Sequence, residues 1–116
     1  MYVVDDTDHV RRMLTTMLTV DGFVVVGGAA DGVSAIAAVT KEDPDVVVID
    51  YKMPAMDGLE TARRIREARP TQPIILYTAF ADAEVEAAAA NIGVAVCLGK
   101  VEGLSALEHE IRRLVR

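Results

Sequence analysis

Short Val- and Ile-rich runs alternate along the chain with Ala-rich stretches of helical period. Tyr2-Val3-Val4 predicts a first strand, ending at Asp5-Asp6. Val10, Met13, Leu14, Met17 and Leu18 then fall on one helical face, with Arg11 and Arg12 opposite. Thr7 or Asp6 can cap that helix, and Asp21-Gly22 stops it. Phe23 to Val26 predicts the second strand, closed by Gly27-Gly28. A second helix is predicted from about Gly32 to Glu42, with Val33, Ile36, Ala37 and Thr40 inward. Asp43-Pro44 breaks it, because the residue before a proline disfavours helix. Residues 45–50 read Asp-Val-Val-Val-Ile-Asp. Four consecutive apolar residues mark a third strand buried on both faces, and Pro54 forbids simple continuation beyond Asp50.

A third helix starts near Asp57, with Asp57 and Glu60 spaced as a variant capping box. Leu59, Ala62 and Ile65 face inward; Arg63, Arg64, Arg66 and Glu67 face outward. Pro70 and Pro73 bracket a loop before the fourth strand, Ile74 to Tyr77, which ends at Thr78. Asp82 caps a fourth helix carrying Val85, Ala88, Ala89 and Ile92 on one face, and Gly93 ends it. Val94 to Leu98 predicts a fifth strand, followed by Gly99-Lys100. Leu104, Leu107, Ile111, Leu114 and Val115 line a last helix. Strand–helix alternation with right-handed crossovers gives an α/β, doubly wound, five-stranded parallel sheet with helices on both faces.

A chain of 116 residues makes one domain with a real core. Only 4% of it is aromatic, so Val, Ala, Leu and Ile must fill that core. The net charge of −6 argues against nucleic-acid binding by this domain. Cys97 is the single cysteine, which excludes an intramolecular disulfide and suits a reducing, cytoplasmic setting. No apolar run reaches membrane-spanning length, and no signal peptide is visible. Met1 leads almost directly into a strand, so the first strand is expected to be cut short at its start.

The polar residues at strand ends all sit at carboxyl ends: Asp5, Asp6, Asp50, Thr78 and Lys100. A parallel sheet gathers those ends along one edge, where open α/β sheets bind their ligands. Three neighbouring carboxylates repel one another, and a divalent cation relieves this. Oxygen-only ligands, few in number, suit Mg²⁺. Asp50 could be a metal ligand or a nucleophile, since carboxylates form acyl phosphates. Phosphoryl transfer needs little beyond positioning and neutralised charge. Lys100 adds positive charge, and the Thr78 hydroxyl can donate to a phosphoryl oxygen.

This constellation resembles the receiver domain of bacterial two-component response regulators. The resemblance covers essentially residues 1–116, with any effector domain absent from this chain. It rests on Asp5-Asp6, Asp50 with Met53-Pro54 and Asp57-Gly58, Thr78-Ala79, and Lys100. It implies a flavodoxin-like sheet of order 2-1-3-4-5. It further implies that Asp50 accepts a phosphoryl group from a sensor histidine kinase or phosphotransfer protein. Asp6 and Asp50 would ligate Mg²⁺ directly, Asp5 through water, and Lys52 through its backbone carbonyl. Thr78 and Lys100 would contact the phosphoryl group and change the surface of the fourth helix, fifth strand and last helix. That surface would control a partner, an attached output domain such as a DNA-binding one, or a homodimer.

The sequence also departs from the family. Val101 follows Lys100 where Pro is usual, and Cys97 stands where the family usually has a switch aromatic. Lys52 and Phe80 occupy positions that influence dephosphorylation in the family. Two other functions compete. An aspartyl phosphatase would place a second Asp two residues beyond the nucleophile, but Lys52 stands there. A phosphorylation-independent interaction module would have no need of the acidic trio. The domain is therefore read as a switch and not as an enzyme beyond its own phosphorylation and dephosphorylation. Gly27 to Ser34 superficially spells a phosphate-binding loop, but Val33 replaces the required lysine. His9 and His109 read as surface residues, and Cys97 as an inert strand residue. Arg63-Arg64 and Arg112-Arg113 read as solvated helix faces, with charge pairing across a dimer as the lesser alternative.

Overall fold

The computed structural model describes residues 1–115. Among them, five strands alternate with five helices. The strands are β1 (Tyr2–Val4), β2 (Gly27–Ala29), β3 (Val47–Ile49), β4 (Ile74–Thr78) and β5 (Val96–Gly99). The helices are α1 (Asp8–Val20), α2 (Gly32–Glu42), α3 (Gly58–Ala68), α4 (Ala83–Ile92) and α5 (Leu104–Leu114). Every strand pair is parallel, and the order is β2-β1-β3-β4-β5.

Strand side chains alternate between two cores because successive residues point to opposite faces. Val4, Val47, Ile49, Ile74 and Leu76 pack with residues of α2, α3 and α4. Val3, Val48, Ile75 and Tyr77 pack with Leu14 and Leu18 of α1 and Leu107 and Ile111 of α5. The central strands are thus buried on both faces, as the apolar run before Asp50 predicts.

The second strand lies later than its apolar run suggests. The ladder pairs Tyr2 with Gly27 and Val4 with Ala29, not with residues 23–26. Phe23 and Val25 still tuck under the α1/α5 side, whereas Val24 and Val26 are exposed. Met1 and Leu18 hold this segment: the Met1 amino group donates to the Val24 carbonyl, the Val26 N–H donates to the Met1 carbonyl, and the Phe23 N–H donates to the Leu18 carbonyl. Gly27 and Gly28 suit the ladder because a side chain at either would crowd the Tyr2 ring or the Val3 carbonyl.

Two helices are also phased differently from the prediction. In α1, Leu14 and Leu18 are buried, but Met13 and Met17 are exposed. In α2 the inward residues are Gly32, Ala35 and Val39, with Ile36 half-buried; Val33, Ala37 and Thr40 face solvent. Close packing of α2 on α3 fixes this phase: a Cβ on Gly32 would land on the Thr61 hydroxyl and 2.9 Å from the Met56 sulfur. β5 begins at Val96, two residues later than predicted, and Val115 lies just beyond α5. Asp31, Asp57 and Asp82 each cap a helix by accepting the backbone N–H three residues on. Thr7 sits at the cap of α1 without using its side chain.

Candidate phosphoacceptor and metal site

The carboxyl ends of β1 and β3 are adjacent, and this brings the acidic residues together. Asp5, Asp6 and Asp50 offer carboxylate oxygens that all lie within 4.8 Å of one another. Asp5 is buried and committed: its Oδ1 accepts the Thr7 N–H at 2.9 Å, and its Oδ2 accepts from Lys100 Nζ at 3.1 Å. Arg11 of α1 donates to the Asp5 carbonyl at 2.6 Å, fixing the turn after β1. Asp6 is half-buried, and its carboxylate takes no hydrogen bond among the described residues.

Asp50 divides its two oxygens. Oδ2 accepts from Lys100 Nζ at 3.3 Å. Oδ1 is buried and has no hydrogen-bond partner. A buried acceptor without a partner marks a place where something belongs. Lys100 opens a 3₁₀ turn directly after β5, so its ammonium reaches both Asp5 and Asp50. Burial opposes its charge, but Asp50 and Asp5 outweigh burial and hold its pKa above the ordinary lysine value.

The donor set fits a hard divalent cation. Asp6 and Asp50 Oδ1 have free acceptor capacity, whereas Asp5 has both oxygens occupied and is suited to act through water. Asp6, Thr7, Asp50, Lys52, Met53, Pro54 and Phe80 line an open hollow at this edge. Lys52 shares the hollow, but its ammonium lies 4.8 Å from the centre of the Phe80 ring.

Thr78 ends β4 and is fully buried. Its Oγ1 accepts the Phe80 N–H at 3.1 Å, which leaves the hydroxyl proton to donate. Thr78 therefore reaches the hollow's rim through Phe80. Cys97 is half-buried in β5, and burial, with Glu86 and Asp82, pushes its thiol pKa up, so it is a poor thiolate. His9 and His109 are exposed, as expected.

Two backbone features of the site lie outside what the sequence pattern shows. Gly58, the first residue of α3, donates its N–H to the Tyr51 carbonyl at 2.6 Å. A Cβ there would strike the Asp50 carbonyl oxygen and lie 2.8 Å from Tyr51 Cα. The Asp57-Gly58 pair therefore seats α3 on the backbone of Asp50 itself. Ala55, in the loop between, is held at φ 66°, a left-handed conformation unusual for a residue with a side chain. The spacing of Asp57-Gly58 after Asp50 was the available signal; the close approach itself is tertiary.

A parallel 2-1-3-4-5 sheet with an acidic trio and a lysine at its carboxyl edge defines a phosphoacceptor-type signalling domain. The chain belongs to the response regulator receiver domain family, whose family model matches residues 1–112. It is thus a receiver domain of the two-component system class. It is 35% identical to protein-glutamate methylesterase/protein-glutamine glutaminase 3 of Hahella chejuensis (strain KCTC 2396), over 98% of this chain and 34% of that protein. It is 38% identical to regulatory protein AtoC of Escherichia coli (strain K12), over 78% of this chain and 20% of that protein. The chain spans about a third or less of these relatives. Among solved structures it is similar to the receiver domain of the response regulator NarL from Mycobacterium tuberculosis. That match has TM-score 0.81 and 29% identity, over 96% of this chain and 94% of the other. It is also similar to a chain of the CheX-CheY-BeF3-Mg+2 complex from Borrelia burgdorferi, with TM-score 0.87 and 26% identity, covering 99% and 88%.

Proposed function

We propose that Asp50 is the phosphoacceptor and that Asp6, Asp50 and the Lys52 carbonyl hold Mg²⁺, with Asp5 acting through water. The observation that carries this reading is the divided environment of Asp50: one oxygen on Lys100, the other buried without a partner. When bound, Mg²⁺ would neutralise the trio and the charge gathering on the transferred group.

The chain's own residues do the rest. An Asp50 oxygen attacks phosphorus of a phosphohistidine or a small phosphodonor. The new O–P bond forms as the donor's bond to phosphorus breaks, and a leaving imidazole takes a proton from water. Lys100 is already an ammonium at this site, so it can turn from the Asp50 carboxylate to the phosphoryl oxygens without gaining a proton. Thr78 donates its free hydroxyl proton to the same group. Reversal by water returns the carboxylate, and no other reaction is assigned to this domain.

The donor is a sensor histidine kinase or phosphotransfer protein, in keeping with the family. The output is a partner, an attached domain or a second copy, engaged through α4, β5 and α5. Among the described residues no helix is long and apolar enough to cross a membrane. A cytoplasmic location suits the single cysteine, Cys97, and the absence of direct nucleic-acid binding suits the net charge of −6.

Acetyl phosphate with Mg²⁺, followed by intact-mass measurement, tests the assignment. One added phosphoryl group is expected, and none in Asp50→Asn or with the metal chelated. Labelling that persists in Asp50→Asn would overturn it. Repeated turnover of added phosphomonoesters would instead favour an aspartyl phosphatase.

A further inference from the structure

Phe80 is tied to the hollow from two sides. Its N–H donates to the Thr78 hydroxyl oxygen at 3.1 Å. Its ring carries the Lys52 ammonium at 4.8 Å. Thr78 ends β4, and Lys52 lies two residues past Asp50 at the end of β3. The two contacts close a loop across the mouth of the hollow: Asp50, Lys52, Phe80, Thr78. Both Lys52 and Phe80 line that hollow, and Phe80 remains 48% exposed, so its ring has room to move. By contrast, Tyr77 is wedged in the α1/α5 core and Cys97 is packed beside the α4 core.

We propose that this clasp is opened by phosphorylation, so that Phe80 is the aromatic that moves in this chain. The inference rests on Asp50 being the phosphoacceptor. Its physical basis is a competition for one ammonium. An exposed ammonium over a phenyl face is held weakly. A phosphoryl group on Asp50 carries charge outward toward the mouth, where Lys52 already sits, and attraction between full charges is the stronger of the two. Lys52 leaves the ring for the phosphoryl oxygens. At the same time Thr78 turns its hydroxyl proton toward them and pulls on the Phe80 N–H. Phe80 is then released in the turn that leads from β4 into α4, the helix beside β5. Phosphorylation is thereby read out at the β4–α4 junction without any aromatic in β5.

The chain contains no tryptophan, so Phe80→Trp installs a unique fluorophore at the clasp. Emission is recorded with Mg²⁺ before and after adding beryllofluoride, and fluorine NMR on the same samples reports whether beryllofluoride occupies Asp50. The expected result is a change in indole emission that tracks the bound fluorine signal and is lost in Phe80→Trp/Asp50→Asn. Phe80→Trp/Lys52→Met should start near the released emission and respond at most a third as much. In the unsubstituted protein the Phe80 amide resonance should shift on loading, which covers any disturbance from the larger ring. A bound fluorine signal with unchanged emission and an unmoved Phe80 amide overturns the inference alone. Absence of any bound signal overturns the phosphoacceptor reading and the inference with it.

Discussion

Lys100 is the residue on which the charge balance of the edge turns. Its ammonium stands between Asp5 and Asp50, whose side chains are only 4% and 13% exposed. Removing one member of a fully buried ion pair costs about 3–5 kcal/mol, because a charge is left without its partner. Lys100 keeps 27% side-chain exposure, so Lys100→Met should cost less, about 2 kcal/mol without magnesium. Denaturant unfolding at pH 8 measures this. The pH dependence has a definite sign. The folded pKa of Lys100 lies above its ordinary value of 10.5. Its stabilisation is therefore fully present below pH 10.5 and is lost as pH rises through the higher folded value. The gap between wild type and Lys100→Met should close above pH 10.5. A gap that widens there would contradict the assignment of the lysine as the trio's counter-ion.

At the scale of elements, the seating of α3 on the end of β3 decides where Asp50 points. Gly58→Ala pushes a methyl into the Asp50 carbonyl and Tyr51 Cα, both backbone, so neither can swing aside. Overpacking of this kind costs about 1–3 kcal/mol, and the strain falls on Asp50, the proposed phosphoacceptor. Lower stability and slower labelling by acetyl phosphate are both expected. Gly99→Ala is the contrast. Its Cβ would meet nothing closer than 3.6 Å, although it adjoins Lys100. Its stability should change by about 0.5 kcal/mol or less. Equal effects of the two substitutions would sink the argument from close approach.

The same scale shows what the sequence could reveal. The runs before Asp5, Asp50 and Thr78 are Val- or Ile-rich because both sheet faces are covered, and their carboxyl-end polar residues could be read directly. Strand two is misplaced by its apolar run, because the ladder uses Gly27 to Ala29 while residues 23–26 lie outside it, held by Met1 and Leu18. The phase of α2 depends on Gly32 meeting Thr61 and Met56, contacts between distant segments. Gln72 was likewise silent. It is buried at the opposite edge, donating to the Pro44 carbonyl at 3.0 Å and accepting from Arg69 at 3.1 Å. The sequence predicts a solvated face at Arg63 and Arg64. They are exposed, but both pair with Glu60, whose carboxyl they hold down at about 2.

Across the whole molecule, four side chains from three strand ends meet at one edge, and the two cores behind them hold that edge still. Asp5, Asp6, Asp50 and Lys100 converge because β1, β3 and β5 run parallel and end together. Lys52 stands at the rim, and the buried Thr78 is joined to it through Phe80. A crystal of the protein with saturating Mg²⁺ and beryllofluoride tests this arrangement most directly. The expected result is a metal ion touching Asp6 and Asp50, beryllofluoride on Asp50, and Lys100 Nζ moved onto a fluorine. A hollow left empty under those conditions, with Lys100 still on Asp5 and Asp50, would contradict it.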